Sequence, residues 1–140
     1  WNQQQSYRGH LAVLADEFTY SDGETFAAGI KALGLGPVIG KRTSGAGIWL
    51  SDRNVLSDGG IARVAEFGQF DAQGRWLIEV QGVAPDIEVD NPPYATANGE
   101  DAQLQAAINY LEKRLAEAPV TQPATQPIPP RGVPGHDGSR

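Results

Sequence analysis

The 140-residue sequence contains no cysteine and no methionine, and it has only two histidines. Without cysteine there is no disulfide framework, no thiol nucleophile and no cysteine-based metal site. Basic residues are few and scattered, 11 Lys and Arg against 17 Asp and Glu, which argues against a nucleic-acid or anionic-membrane surface. No apolar stretch approaches the roughly 20 residues that a membrane span needs. The length therefore predicts one acidic domain, and the composition leaves its compartment open.

The sequence also has no motif typical of a metal-binding or cofactor-binding site. No cluster of residues has the spacing of a zinc or calcium site. The glycines at 34 and 36 precede a predicted strand, which is the wrong context for a dinucleotide-binding loop. We therefore predict no metal and no cofactor.

The last 22 residues differ in composition from the rest of the chain. Residues 119–140 hold six of the ten prolines, and their few apolar residues have no period. We predict a domain over residues 1–118 and a disordered or polyproline-like tail over residues 119–140. Because the sequence begins at Trp1, we expect it to be cut from a longer protein.

The first half of the domain has the pattern of a βαβ unit. The unbroken apolar run at residues 11–15 predicts a strand buried on both faces. Residues 25–33 predict a helix with Phe26, Ile30 and Leu33 on its apolar face, and Gly34 is placed to cap its C-terminus. Residues 38–39 predict a second strand. The fold class is therefore predicted to be α/β.

The second half mixes loop, strand and helix signals. Residues 40–60 are rich in glycine and polar residues and predict a functional loop. Residues 61–70 and 75–80 predict a hairpin, and residues 101–118 predict a surface helix that packs on the domain. The helix carries its apolar stripe at Leu104, Ile108, Leu111 and Leu115, and we expect Trp49 and Trp76 in the core.

Ser21 lies between the first predicted strand and the first predicted helix. A tight strand-to-helix turn can lift a serine above the sheet, and the amides of Asp22 and Gly23 could then donate to an oxyanion. The alternative is that Ser21 or Asp22 only caps the helix, with Glu24 completing a capping pattern. Both interpretations stay open on local sequence alone.

A nucleophilic serine needs a base, and neither histidine is well placed to be one. His136 lies in the proline-rich tail. His10 is separated from the end of the strand near Glu17 by seven extended residues, roughly 23 Å at about 3.3 Å per residue. Either Ser21 is not a nucleophile, or its base comes from outside this sequence.

Several ordered motifs resemble one family. They are the segment 11–24, ending in Tyr20-Ser21-Asp22-Gly23-Glu24, then residues 34–40, Thr43-Ser44-Gly45, Asp58-Gly59-Gly60 and residues 79–89. This pattern, over roughly residues 8 to 115, resembles the tricorn-like proteases. They belong to the wider family of tail-specific and C-terminal processing serine peptidases. The resemblance implies a ClpP/crotonase-like fold. It also implies that residues 1–118 are the C-terminal part of a serine-peptidase catalytic domain.

The resemblance also implies roles for individual residues. Ser21 would be the nucleophile, the Asp22 amide its oxyanion donor, and Glu79 the acid that orients a histidine through a second serine. That histidine and serine would lie upstream of this sequence. Where the processing peptidases place a basic lysine, this chain has Ala46, which cannot accept a proton. Glu79 is predicted to be a buried carboxylate or, alternatively, an exposed residue that alternates with Leu77.

Substrate and partner predictions follow from the same resemblance. Gly23, Thr43, Ser44 and Gly45 are predicted to form part of the substrate cleft, where small residues let a peptide backbone approach. The expected substrates are oligopeptides or unfolded chains, and the expected partners are the rest of the parent chain and further copies of it. Two alternatives remain: a Ser/Lys peptidase that uses Lys41, and a non-enzymatic binding module of the same fold.

Overall fold

The structure is a computed structural model that describes residues 7–121. Eight elements follow one another along this part of the chain: β1 (Val13–Ala15), α1 (Asp22–Ala32), β2 (Val38–Gly40), β3 (Trp49–Ser51), β4 (Val64–Phe67), β5 (Ile87–Glu88), α2 (Pro93–Ala97) and α3 (Ala102–Glu117). The tail prediction over residues 122–140 and His136 lie outside the described residues. Of the three helices described, none has the length and apolar character to cross a membrane.

The first sheet confirms the predicted βαβ unit and the α/β class. Its three strands are parallel in the order β1-β2-β5, with Leu14 opposite Ile39 and Ile39 opposite Ile87. The chain leaves β1, passes through α1 and returns to β2 alongside β1. Parallel pairing requires such a crossover, and the crossover places the start of α1 just beyond the end of β1.

The hydrophobic core is formed by side chains of β1, α1 and β2 and of the segment at residues 78–83. Ala15, Ala27, Val38, Ile78 and Val83 form one buried cluster. α1 packs against β2, and α3 packs against β1 and β2. The central strand β2 is therefore covered along its length. The prediction that the run at residues 11–15 is buried on both faces was wrong for β1, an edge strand of this sheet in which Leu14 is 41% exposed.

Helix α1 begins at Asp22, earlier than predicted, and the prediction of its apolar face was wrong in two of three residues. Phe26 and Leu33 are 57% and 73% exposed, and only Ile30 of the predicted face is buried. Ala27 and Glu24 are buried instead, because the helix turns a small residue and a carboxylate toward the core. Its C-terminus ends as predicted: Gly34 has φ 62°, the left-handed conformation that glycine adopts freely.

Helix α3 matches its predicted range, but its predicted packing stripe was wrong. Asp101 caps the helix by accepting a hydrogen bond from the Leu104 amide at 2.8 Å. Leu104 is itself exposed, as are Ile108 and Leu115. The buried positions are Gln103 and Ala107, and α3 contacts β1 and β2. The Gln103 side chain also donates a hydrogen bond to the Val89 carbonyl oxygen, just after β5.

The predicted hairpin is confirmed only beside its turn at residues 71–74, and the predicted partner of β4 was wrong. β4 pairs antiparallel with β3, a strand inside the segment predicted as loop. Between residues 61–70 and 75–80, only the bridge between Phe70 and Trp76 forms, around a turn whose amides donate to Asp71. The core prediction for the tryptophans was also wrong: Trp49 is 50% exposed and Trp76 46%.

Candidate active site

Ser21 occupies a strained turn at the start of α1. Its backbone has φ 55° and ψ −118°, and the Gly23 amide donates to the Tyr20 carbonyl oxygen at 3.1 Å to close the turn. Ser21 is thus the second residue of a type II′ turn, a position that normally takes glycine. A non-glycine residue there costs on the order of 1–3 kcal/mol, and such strain concentrates at functional sites. The same turn geometry defines the strand-to-helix nucleophile elbow of hydrolases.

The two amides predicted to face an oxyanion differ in their hydrogen bonds. The Gly23 amide is occupied by the Tyr20 carbonyl oxygen, so the prediction that it could serve as an oxyanion donor was wrong. The Asp22 amide has no hydrogen-bond acceptor within residues 7–121. It is the first amide of α1, where the helix dipole places partial positive charge.

Glu24 is wholly buried in the first turn of α1. Its carboxylate accepts hydrogen bonds from the amides of Ser21 (3.1 Å), Gly45 (2.7 Å) and Ala46 (2.8 Å), and from the Thr43 hydroxyl. Burial alone would raise the pKa of Glu24, but these hydrogen bonds outweigh burial and hold the pKa below its usual value. The cap and nucleophile interpretations of this segment are therefore compatible, since Ser21 is also the N-cap residue.

Glu79 lies in a turn and is half-buried, so neither predicted strand environment is correct. Its Oε2 accepts a hydrogen bond from the Gly47 amide at 2.8 Å, the one hydrogen bond to its carboxylate within the described chain. The next residue, Val80, has φ 67° and donates its amide to the Gly45 carbonyl oxygen at 2.9 Å. The loop at residues 45–47 therefore holds the turn that carries Glu79.

One cavity brings three of the predicted site residues together. It has a volume of about 460 Å³. Its walls are Tyr20, Ser21, Asp22, Ala46, Ile48, Trp49, Leu50, Arg63 and Glu79. Ser21, Asp22 and Glu79 thus line the same space, and residues 48–50 add an apolar wall.

Gly23, Thr43, Ser44 and Gly45, which were predicted to form part of the substrate cleft, are not among the residues that line this cavity. Thr43 is buried, donating through its hydroxyl to Glu24 and accepting from the Val83 amide at 2.7 Å. Gly45 has φ 83°, and a Cβ there would meet the Val80 carbonyl oxygen at 2.8 Å. Ser44 is exposed, and its amide donates to Thr19. None of these three lines the cavity, so their contact with a substrate stays a prediction.

The basic residues considered as proton acceptors lie elsewhere. Lys41 forms ion pairs with Glu17 at 3.2 Å and Asp90 at 3.3 Å. Hydrogen bonds to these two acids raise the pKa of Lys41, which keeps the amine protonated and therefore unable to accept a proton. The His10 Nε2 lies 2.7 Å from the Ala118 carbonyl oxygen. Residues 7–121 contain no group of three or more histidine or acidic side chains that could hold a metal ion.

Sequence reasoning missed the burial of Glu24 and the position of Trp49 and Arg63 on the cavity wall. A signal for Glu24 existed, because it stands three residues before Ala27 and so shares the inward face of α1. Trp49 and Arg63 had no comparable local signal. Their position depends on the antiparallel pairing of β3 with residues near Arg63.

Comparison with known proteins shows which protein family has this sequence and this fold. The model for peptidase family S41 matches residues 2–89. The chain is 39% identical over 124 residues to tricorn protease homolog 1 of Streptomyces coelicolor, covering 89% of this chain and 12% of that protein. It is 34% identical over 110 residues to the tricorn protease of Thermoplasma acidophilum, covering 79% of this chain and 10% of that protein.

A solved structure agrees with these sequence matches. The crystal structure of the tricorn protease superposes with a TM-score of 0.73 at 30% identity, over 82% of this chain and 12% of that one. The class is therefore that of the serine peptidases. The chain belongs to peptidase family S41, and it spans about one eighth of the length of the relatives it matches.

Proposed function

We propose that this chain supplies the nucleophile and the orienting acid of a serine peptidase reaction centre. The observation that carries the proposal is the shared cavity, which is lined by Ser21 in its strained turn, by Asp22, whose amide has no acceptor within residues 7–121, and by Glu79. Family membership supports the same roles. The β1-α1-β2 unit that carries Ser21 is also consistent with the proposed ClpP/crotonase-like fold.

In the proposed reaction, the Ser21 Oγ attacks the carbonyl carbon of a peptide bond while a histidine takes the hydroxyl proton. The carbonyl oxygen becomes an oxyanion, to which the Asp22 amide donates; one such donor contributes about 3–4 kcal/mol. Collapse transfers the proton to the leaving amine and leaves an acyl-enzyme, which water hydrolyses. The histidine, a second serine and a second oxyanion amide come from a segment outside this sequence. Glu79 orients that histidine through the serine.

The proposed substrates are oligopeptides and unfolded chains. Ile48, Trp49 and Leu50 offer an apolar wall beside Ser21, which suits an extended peptide with apolar side chains. The relatives are many times longer than this chain, so we propose that further segments complete the cleft. Assembly into a homo-oligomer is part of the same proposal.

The Ser/Lys alternative has less support. Lys41 is held by two acids that favour its protonated form, and it does not line the cavity that contains Ser21. A lysine base requires the opposite environment, one that lowers its pKa. Retained activity after removal of every histidine outside this sequence would restore this alternative.

A fluorophosphonate probe tests the proposal in the full-length protein. We expect the probe to label the wild-type protein and the control Ser57→Ala, which changes an exposed serine away from the cavity. Ser21→Ala should abolish labelling and reduce kcat on the order of 10⁶-fold. Labelling that persists in Ser21→Ala would remove Ser21 from the reaction, and no labelling of the wild type would favour a non-enzymatic binding module.

A further inference from the structure

The proposed reaction uses Ser21, Asp22 and Glu79, yet the most buried acid of the described chain is Glu24. Its side chain is fully enclosed and has no cationic partner among residues 7–121, where all four of its hydrogen bonds come from neutral donors. A buried carboxylate is costly unless its oxygens are satisfied, and here both are. A surface capping box needs only the contact with the N-cap amide, so the three donors from residues 43–46 require a further explanation.

Those donors connect two parts of the site. Glu24 holds the Ser21 amide on one side and the amides of Gly45 and Ala46 on the other. The following amide, that of Gly47, holds Glu79. Three consecutive amides are thus divided between two carboxylates, and the nucleophile turn and the orienting acid share one short loop as their support.

We propose that Glu24 is a positioning residue of the reaction centre, whose buried carboxylate joins the Ser21 turn to the loop at residues 45–47 and so fixes Ser21 relative to Glu79. This inference rests on the proposed function. Glu24 does not line the cavity and would touch no substrate. It acts through the Ser21 amide, whose hydrogen bond helps to hold the strained backbone from which the Asp22 amide projects.

Two substitutions change the hydrogen bonds of the Glu24 carboxylate in different ways. Glu24→Gln replaces one accepting oxygen by an NH₂ group, which cannot accept from a backbone amide and leaves at least one buried donor unpaired. Glu24→Asp keeps both oxygens but withdraws them by about 1.5 Å, the length of one C–C bond. A displacement of about 1 Å in a reaction centre can cost about 100-fold in rate.

The experiment measures kcat, KM and the fluorophosphonate labelling rate of both variants in the full-length protein, per folded molecule. Asp86→Asn is the matched control, because Asp86 also accepts a backbone amide, that of Val38 at 2.8 Å, and does not line the cavity. We expect Glu24→Gln to lower kcat and the labelling rate about 100-fold, Glu24→Asp about 10-fold, and KM to stay within about threefold. The control should stay within about threefold in all three.

A merely structural Glu24 would change the folded fraction and leave the folded molecules active. Values of kcat within about threefold of wild type for folded Glu24→Gln and Glu24→Asp would therefore overturn the inference. If Glu24→Gln does not fold, Glu24→Asp decides alone by the same criterion. Failure of the proposed function has a separate signature, since it would appear as retained labelling and turnover in Ser21→Ala.

Discussion

Two regions of the chain meet at the cavity, and they differ in how many of their apolar side chains are buried. The scaffold, which we define as β1, α1, β2 and β5, contains buried residues such as Ala15, Ala27, Val38 and Ile39. The flank, residues 48–77 with β3 and β4, exposes most of its large apolar side chains: Trp49, Leu50, Val55, Leu56, Ile61, Val64, Phe67, Phe70, Trp76 and Leu77. The scaffold thus combines buried positions with a few exposed apolar side chains (Leu14, Phe26 and Ile87), whereas most large apolar side chains of the flank are exposed.

The division corresponds to two tasks in the proposed reaction. Ser21, Asp22 and Glu24 belong to α1 and its turn, where packing fixes their geometry. Trp49 and Leu50 belong to the exposed β3, where apolar surface remains for a partner molecule. Rigid support suits groups whose positions decide the rate, whereas exposed apolar surface suits contact with varied substrates. Four changes test this division, ordered by the free energy that each is expected to affect.

The largest loss of activity is expected for a change at Glu79, which follows the flank in the sequence. Glu79→Gln in the full-length protein should lower kcat about 10⁴-fold, about 5.5 kcal/mol, because an amide can no longer fix the second serine and, through it, the orientation of the histidine. Steady-state kinetics on a peptide substrate measure this loss. The control is Glu66→Gln, which removes a flank acid that pairs with Arg53 at 2.8 Å and does not line the cavity. Wild-type turnover in Glu79→Gln would make Glu79 purely structural.

The second effect separates the two regions by stability. Ile39 is completely buried in the central strand of the scaffold, whereas Leu56 in the flank is 50% exposed. Ile39→Ala should lower the free energy of unfolding by about 3 kcal/mol through lost burial and a residual cavity. Leu56→Ala should lower it by less than about 0.5 kcal/mol. Urea unfolding of the 140-residue chain measures both, and equal losses would contradict the division into a packed and an exposed region.

The third effect concerns substrate contact by the flank. Trp49→Ala should raise KM for peptides with apolar side chains about 10-fold, close to 1.4 kcal/mol, and leave kcat nearly unchanged. Trp76→Ala is the matched control, because Trp76 is similarly exposed but packs on Phe70, with ring centroids 4.3 Å apart, and does not line the cavity. A fall in kcat with constant KM would instead place Trp49 with the rate-determining groups.

The contrast between the regions also explains what the sequence could predict. The βαβ unit and the Ser21 turn were predictable because they depend on short apolar runs, glycines and helix-start signals within about 30 residues. The proximity of Ser21, Asp22 and Glu79 came from the family resemblance, since 58 positions separate Ser21 from Glu79 and no local pattern joins them.

The errors have physical causes as well. Residues 61–70 carry a strand pattern that does not specify its partner, and β4 pairs with β3 in the glycine-rich segment instead of with residues 75–80. The helix faces were misassigned because large apolar residues were taken as the buried ones. Phe26, Leu104 and Ile108 are exposed, while Glu24 and Gln103 are buried with hydrogen-bond partners. Apolar periodicity cannot identify a buried polar residue whose partners come from distant loops.

The smallest expected loss of stability concerns two ion pairs, one in each region. In the scaffold, Lys31 approaches Asp86 at 2.8 Å, and this ammonium together with the Val38 amide holds the pKa of Asp86 below its usual value. In the flank, Arg63 approaches Asp52 at 2.7 Å with both side chains more than half exposed. Exposed pairs contribute little, and both acids retain solvent contact, so Asp86→Asn should cost less than about 1 kcal/mol and Asp52→Asn less still.

The pH dependence of stability tests the contribution of the Asp86 charge even though its effect is small. A carboxyl whose pKa is lowered by folding stabilises the fold above its unfolded-state pKa, and this contribution disappears as the pH falls through the folded-state value. The stability difference between wild type and Asp86→Asn should therefore be present at pH 7 and shrink as the pH falls below about 4. Urea titrations at several pH values measure it. A constant difference across that range would mean that Asp86 stabilises the scaffold by packing, and charge would then no longer distinguish the scaffold from the flank.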